Sequence, residues 1–393
     1  MHAESIVARF VEGTLSGIHG ARRRVLAAVV WAAMRGHALS LSRLGRGVAH
    51  QRSGLKAGLK RVDRLIGSQR IDSEVDVAAE ALLALLCRWL SRLVIAVDWS
   101  AAAPGGTFVE LRAAVVWLGM GRGITVYQRV YPAAKQGNAK AERALLKALR
   151  RWIPRTMRVI VISDAGFRTP WFRAVERLGW EWIGRVRGGN QVRRGAGLWQ
   201  DVLARARRAT GQAQRQTDCE LTQSRRCACD LVQVRLPRIG RTVYRRPGHG
   251  PSPKAAAEAR ASAREPWVLA HSTTLRDLRA DEIVALYARR MQIEENFRDA
   301  KSLPFGMGAE IGRSRSALRL QALLLIATLA AFLLWHLGQL AEAEGLHLRY
   351  KVTTRAAREL SIITLAMLLC TERSIDLTPQ GLRTLHQRLG IRE

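Results

Sequence analysis

The strongest constraint on how this chain can fold comes from two short runs, Leu93-Val-Ile-Ala-Val97 and Val159-Ile-Val-Ile162. Each is apolar at every position and rich in β-branched residues, as a strand buried on both faces requires. A sheet holding two such strands must be covered on both sides, so helices have to flank it. Each run leads into an aspartate, Asp98 directly and Asp164 after Ser163. A carboxylate at the end of a core strand is costly unless it is paired or metal-bound. For either one alone, a helix cap or a turn residue is the plain alternative.

The elements around these runs follow a definite order. Strands are predicted over residues 108–117 and 124–131, and a helix over 138–152 with Leu145, Leu146 and Leu149 on one side. After the strand at 158–163, Pro170 opens a helix, as a proline in the first turn can, and a strand follows at 180–186. Strand, strand, strand, helix, strand, helix, strand is the order of a ribonuclease-H-like core. That core is an α/β mixed sheet begun by an antiparallel meander. Glycines then break the pattern at residues 188–190 and 194–197. Residues 188–265 read as a basic, β-rich insertion with short strands at 231–236 and 241–244 and a Gly/Pro/Ala-rich tether at 247–263. From 185 to 265 there are 18 Lys and Arg against 6 Asp and Glu, a net of +12. The core resumes at Trp267-Val-Leu-Ala270. Five regions result: 1–90 helical, 91–187 first part of the core, 188–265 insertion, 266–310 second part of the core, and 311–393 helical.

Charge narrows the partners. The chain of 393 residues carries 64 Lys and Arg against 32 Asp and Glu, a net of +32. Self-repulsion on that scale is relieved by a polyanion, and nucleic acid is the obvious one. In the N-terminal region, residues 54–67 place Leu55, Leu59, Val62 and Ile66 at helical spacing with Lys56, Lys60, Arg61 and Arg64 around them. DNA docking and a solvated charged face fit that pattern equally. Residues 322–337 are apolar throughout, but at about 16 residues fall short of the roughly 20 a membrane span needs. They are read as a core helix, and no membrane partner is expected. Cys87, Cys219, Cys227, Cys229 and Cys370 are scattered, without zinc spacing, and are read as reduced thiols. No secretory signal is expected.

Residues 287–301 contain no Gly or Pro and many strong helix formers, and their spacing predicts one continuous helix. At about 100° per residue, Arg290 lies about 60°, Glu294 about 20° and Lys301 about 40° to the same side of Tyr287. One carboxylate, two cations and a phenol thus share a stripe. A salt-bridged surface helix gives the same stripe, so spacing alone leaves both readings open.

The motif Tyr-x2-Arg-x3-Glu-x6-Lys is filled by Tyr287, Arg290, Glu294 and Lys301. Asp98-Trp-Ser, Asp164-Ala-Gly-Phe-x-x-Pro-Trp, Leu178-Gly-Trp-x-Trp-x-x-Arg-Val-Arg and Pro266-Trp-Val-Leu-Ala precede it in order. Together, over roughly residues 90–187 and 266–301, they resemble the YREK-signature group of bacterial insertion-sequence DDE transposases. The resemblance implies that Asp98, Asp164 and Glu294 are the catalytic and metal-binding triad, with Mg²⁺ or Mn²⁺ as cofactor and two ions per site. It implies cleavage at a transposon end, a hairpin intermediate and joining of the 3′ ends to target DNA. Tyr287, Arg290 and Lys301 would grip phosphates, and Trp267 would stack a flipped base; a buried strand tryptophan is the alternative for Trp267. Residues 1–90, with Lys56, Lys60, Arg61 and Arg64, would bind the end. Residues 311–393 would dimerise or contact DNA. The implied partners are double-stranded DNA, at transposon ends and target, and a second copy in a homodimer. The implied location is the bacterial cytoplasm, at the nucleoid. A ribonuclease-H-like nuclease without strand transfer shares the metal site but has no use for the stripe. A catalytically silent DNA-binding relative is the other alternative.

Overall fold

A computed structural model describes residues 3–49, 54–102, 105–117, 119, 121–237, 265–304, 306–312, 314–354, 359–372 and 377–391. The expected strand at 241–244 and tether at 247–263 lie outside the described residues. In chain order come helices α1 (Ala3–Thr14), α2 (Gly20–Met34), α3 (Leu41–Gly47), α4 (Gly54–Ile66) and α5 (Ile71–Cys87). Strands β1 (Arg92–Ala101), β2 (Phe108–Val115) and β3 (Ile124–Pro132) precede α6 (Ala139–Trp152), β4 (Arg158–Ser163), α7 (Thr169–Glu176) and β5 (Glu181–Val186). Then follow β6 (Gln191–Arg194), β7 (Gln200–Asp201), α8 (Val202–Arg205), β8 (Gln214–Leu221), β9 (Cys227–Val234) and β10 (Trp267–His271). Helices α9 (Ala280–Ala288), α10 (Met291–Lys301), α11 (Ala317–Ala343), α12 (Ile362–Thr371) and α13 (Pro379–Leu389) complete the described chain. The fold is mixed α/β and ribonuclease-H-like in its element order.

The chain divides into two compact units, Met1–Arg158 with Met291–Glu393, and Val159–Arg290. In the first, β3, β2 and β1 form the antiparallel meander. Helix α11 is its central core element and packs on β3, α2, α5, α12 and α13. The apolar run at 322–337 marks only the middle of this helix. Its 27 residues begin where Ser316 Oγ accepts a hydrogen bond from the Arg319 N–H. By length and composition it would pass for a membrane span, so the shorter estimate is corrected. Its sides are nonetheless taken up by protein: Phe332 stacks on Phe10 at 5.6 Å and Trp335 meets Trp117 edge-on at 5.3 Å. Gln321 accepts from the Val130 N–H at 2.7 Å and donates to the Gln128 carbonyl at 3.1 Å. At the other end of the chain, Val62, Leu65 and Ile66 of α4 are buried while Leu55 is exposed, so the apolar face of this helix is shorter than its spacing suggests.

Burial in α11 has a pH consequence. His336 lies between Phe332 and Trp335, with ring centroids at 4.6 and 4.8 Å. Desolvation, assisted by Arg388, pushes its pKa down to about 3. An unfolded imidazole titrates near 6.5, so between these two values the unfolded chain binds more protons. Stability is therefore full above about pH 6.5 and falls by about 1.4 kcal/mol for each unit of pH below it. Thermal denaturation at pH 7 and pH 5 is expected to show a loss of about 2 kcal/mol that His336→Phe removes. Parallel pH dependence in the two proteins would mean that His336 does not stay neutral in the fold.

The second unit holds β4 parallel to β5, then β10, β9, β8, β6 and β7, all antiparallel to their neighbours. The described insertion strands thus continue the ladder from the core strand β10. Trp182 of β5 is fully buried and stacks on Phe172 of α7 at 4.1 Å. The approach requires glycine at 184, where a Cβ would stand 2.4 Å from the Phe172 ring. Asp230 of β9, also fully buried, is held by Arg276 at 2.7 Å. Arg276 also reaches Asp218, tying the turn Thr273–Asp277 ahead of α9 to β8 and β9. All five cysteines are free thiols.

Candidate active site

Asp98 stands inside β1, not beyond its end. The buried run stops at Val97, and from Asp98 onward the strand is only partly covered. The register sets Asp98 opposite Arg112 and Ser100 opposite Glu110 on β2. Residues two apart on a strand share a face, so Asp98 and Ser100 form one side and Arg112 and Glu110 flank it. Asp98 Oδ1 accepts a hydrogen bond from the Trp99 N–H at 2.8 Å. The Trp99 indole in turn donates to Glu142 at 3.2 Å.

Glu110 is 0% exposed and Arg112 2%. A lone buried carboxylate is untenable, and Arg112 meets it at 2.8 Å. The second cation is Lys301, whose Nζ lies 3.3 Å from Glu110 and donates to Ser100 Oγ at 2.6 Å. Both cations also lie against Phe297, each 4.5 Å from its ring centre. Burial pushes the Lys301 ammonium below its ordinary pKa, while Glu110 and Asp98 pull it back up. Two carboxylates and two cations are thereby gathered on one face of β1 and β2.

Helix α10 carries Lys301 and Glu294. One side of it is fastened to the strands: Gln292 donates to the Trp117 carbonyl at 2.7 Å, Asn296 reaches Thr125 at 3.3 Å, and Asp299 accepts from Arg122 at 2.6 Å. Positions 292, 296 and 299 line one face at helical spacing. Glu294 and Lys301, seven residues apart, fall together on the opposite side. Because Lys301 touches Ser100, this stripe of α10 is the one turned to the Asp98 face of β1.

In the other unit, Asp164 directly follows β4 and its Oδ1 accepts from the Gly166 N–H at 2.8 Å, an Asx turn. Tyr287 is buried at the end of α9 and meets Trp267 edge-on at 5.1 Å. Burial pushes its phenol pKa up, against Arg290, whose guanidinium donates to the phenol oxygen, and against Arg185. The Asp164 carboxylate adds a smaller upward push on the same phenol. Trp267 opens β10 half-buried, with Arg185 5.9 Å from its ring centre.

The single helix expected over 287–301 is instead two helices, α9 and α10, parted at Arg289 and Arg290. There the Arg289 and Arg290 N–H groups bond to Leu286 and Tyr287, three residues back, at 3.2 and 2.9 Å. That tightened turn ends α9. Neither Gly nor Pro causes the break. Helix α9 packs on β5 and β9, whereas α10 packs on β1, β3 and α11, and packing overrides propensity. The four-residue stripe is therefore two pairs, Tyr287 with Arg290 and Glu294 with Lys301.

The side chains of Lys56, Lys60, Arg61 and Arg64 are all exposed on α4. The opposite side of α4 meets α3 closely, where a Cβ on Gly58 would stand 2.4 Å from the Gly45 carbonyl oxygen. As metal ligands, Asp98, Asp164 and Glu294 have the right chemistry, since hard divalent cations take carboxylate oxygens. Among the described residues, no three His, Cys, Asp or Glu side chains are grouped closely enough to hold an ion. Sequence reading did not single out Glu110 or Arg112, and it gave Arg185 only within the motif from Leu178 to Arg187, with no role. Two charges at alternate positions within the otherwise apolar Phe108-Val-Glu-Leu-Arg-Ala-Ala-Val115 were the available signal for the first two.

A family model described as a transposase DDE domain matches residues 92–333. No curated protein matches the chain. Among solved structures, the cryo-EM structure of the piggyBac transposase synaptic complex with hairpin DNA aligns with 98% of this chain and 82% of that one. The identity is 10% and the TM-score 0.46, a likeness too slight to bear on function.

Proposed function

The chain belongs to the transposase DDE-domain family, and on that premise we propose that it cuts an insertion sequence from DNA through a hairpin intermediate and joins the 3′ ends to a target. The observation that carries this reading is the Asp98 face of β1, where Lys301 is held between Ser100 and Glu110 on the same stripe of α10 as Glu294. Asp98, Asp164 and Glu294 would hold two divalent ions, Mg²⁺ or Mn²⁺, which supply activation of the attacking oxygen and neutralisation of the leaving one. The chain's own groups position the strand. Lys301 and Arg290 are phosphate contacts, Arg290 oriented by Tyr287 and Lys301 by Ser100 and Glu110. Trp267, half-buried beside Tyr287, would stack a flipped base. The exposed cations of α4 supply salt-dependent affinity for the transposon end, with residues 1–90 as the end-binding region. We place the working form in the bacterial cytoplasm, at the nucleoid, as a homodimer on DNA.

A labelled duplex of the DNA flanking the coding region, incubated with the protein and Mg²⁺, is resolved on denaturing gels. A nick is expected first and a hairpin second. A nick needs one phosphate held at the site, while a hairpin needs the end bent so that a 3′-hydroxyl reaches the other strand. That distortion must be offset by added contacts. Arg290→Ala is expected to slow hairpin formation about tenfold to a hundredfold, from roughly 1.5–3 kcal/mol for a charge-assisted contact, and nicking less. Tyr287→Phe acts in the same direction. Double-strand breaks from the parent with no hairpin at any time would favour a plain nuclease.

A further inference from the structure

Helix α6 carries its charge on one side only. Lys140, Arg143, Lys147 and Arg151 follow one another at three- and four-residue spacing, form a stripe along the helix and are all exposed. The side chains beside them on that surface are small: Ala139 and Ala144 are exposed and Ala148 is half-buried. The other side carries Leu145, Leu146, Leu149 and Trp152 into the core. Glu142, the one acid of the helix, is buried on this inward side too, and burial pushes its carboxyl pKa up.

That inward carboxylate fixes where the stripe lies. Glu142 accepts from the Trp99 indole at 3.2 Å, and the Trp99 N–H donates to Asp98 at 2.8 Å. The first turn of α6 is therefore fastened to the residue next to Asp98. Several cations elsewhere in this unit have acids to meet: Arg22 has Glu74, Arg122 has Asp299 and Arg319 has Asp63. On α6 only Arg151 approaches one, Asp76 at 3.8 Å, and among the described residues Lys140, Arg143 and Lys147 are in no ion pair. Three like charges on one face repel one another and favour an anion of matching spacing. A second copy of a chain with net charge +32 is a poor occupant. A DNA strand fits better. From Lys140 to Lys147 the helix rises about 10 Å, and the phosphates of one strand recur about every 3.4 Å along the duplex axis, so the stripe spans roughly three of them.

We propose that the exposed face of α6 is a seat for the DNA backbone, where Lys140, Arg143 and Lys147 each hold a phosphate of the duplex being cut, beside the strand that carries Asp98. This rests on the reading of the chain as a DNA-cutting transposase, and adds contacts that neither the residues on α9 and α10 nor the cations of α4 supply. Contacts of this kind fix the register of the duplex and carry no base information, so the seat positions the cut without choosing the sequence.

The test uses the full-length protein, a flanking-DNA duplex that contains the cleavage position, and a variant with Lys140→Gln, Arg143→Gln and Lys147→Gln together. All three side chains are exposed, so the variant should melt with the parent. Affinity is measured from about 50 to about 200 mM salt. The slope of log affinity against log salt is expected to be shallower in the variant by about 2.7, at roughly 0.9 per lost phosphate contact, with binding weaker by about tenfold or more at about 0.1 M salt. Loss of general positive charge gives part of that effect, so phosphates are next neutralised one at a time as methylphosphonates. The parent should lose affinity at a short run of phosphates beside the cut, and the variant should be indifferent at those same positions. An unchanged slope in the variant, or a variant that still senses every phosphate the parent does, overturns the seat and leaves DNA binding intact. Coupled positions found only in a target duplex without the cleavage position would assign the stripe to target DNA and overturn it equally. Binding of the parent to anionic lipid vesicles that the variant loses, with duplex binding unchanged, would assign the face to an acidic surface and also overturn it. Failure of the parent to bind any duplex overturns the DNA reading itself.

Discussion

Replacing Asp98, Asp164 or Glu294 by alanine, one at a time, is expected to lower strand cleavage by about a thousandfold or more, while affinity for the DNA end stays within about threefold of the parent. The rate loss follows from removing a charge that neutralises the reacting oxygens, roughly 4 kcal/mol of transition-state stabilisation. Affinity is retained because phosphate contacts from lysine and arginine, not carboxylates, dominate it. None of the three side chains is fully buried, so alanine should leave the fold in place. The Asx turn that Asp164 makes with Gly166 is the one local bond at risk, at about 1 kcal/mol. Cleavage on denaturing gels and binding on native gels, run on the same preparations, separate the two effects. If any one of the three variants cuts at near the parental rate, the triad is misassigned.

The second large effect concerns stability. Glu110→Ala is expected to destabilise the protein by about 3–5 kcal/mol, because it strands Arg112 and Lys301 without their shared buried carboxylate. For a unit of this size that corresponds to a fall in Tm on the order of 10 °C. Glu110→Gln keeps an acceptor for Arg112 and should lose less. In an Arg112→Ala background the cost of Glu110→Ala should shrink, since the two groups act as a pair. Thermal or urea denaturation of the parent and the four variants measures this. A Glu110→Ala variant within about 1 kcal/mol of the parent would show that the carboxylate does not hold the two cations. The same substitution should disturb cleavage, because Lys301 takes its place beside Ser100 partly from Glu110.

What could be read without the structure was whatever the local chemistry of the chain dictates. The runs before Asp98 and Asp164 have no polar position to expose, so they became β1 and β4. Asn138 caps α6, accepting from the Lys140 and Ala141 N–H groups at 2.9 and 3.2 Å, and Pro170 lies in the first turn of α7. These are short-range effects that three or four residues determine by themselves. The Tyr-x2-Arg-x3-Glu-x6-Lys spacing was equally visible, because it is a property of sequence alone.

Tertiary structure decided what depends on partners distant in sequence. Helical propensity runs unbroken through Arg289 and Arg290, yet the chain turns there because α9 and α10 pack on different strands. Strands β6 to β9 looked like an interruption, yet they extend the ladder from β10; backbone hydrogen bonding is open to any sequence and leaves little mark on it. Most telling is Lys301. Its spacing announced a cation in a stripe, but Ser100 and Glu110, 201 and 191 positions away, determine where it is held. Spacing places a charge on a helix. Only folding supplies the buried countercharge that makes its position stable, because a cation leaves water only where a carboxylate is already waiting.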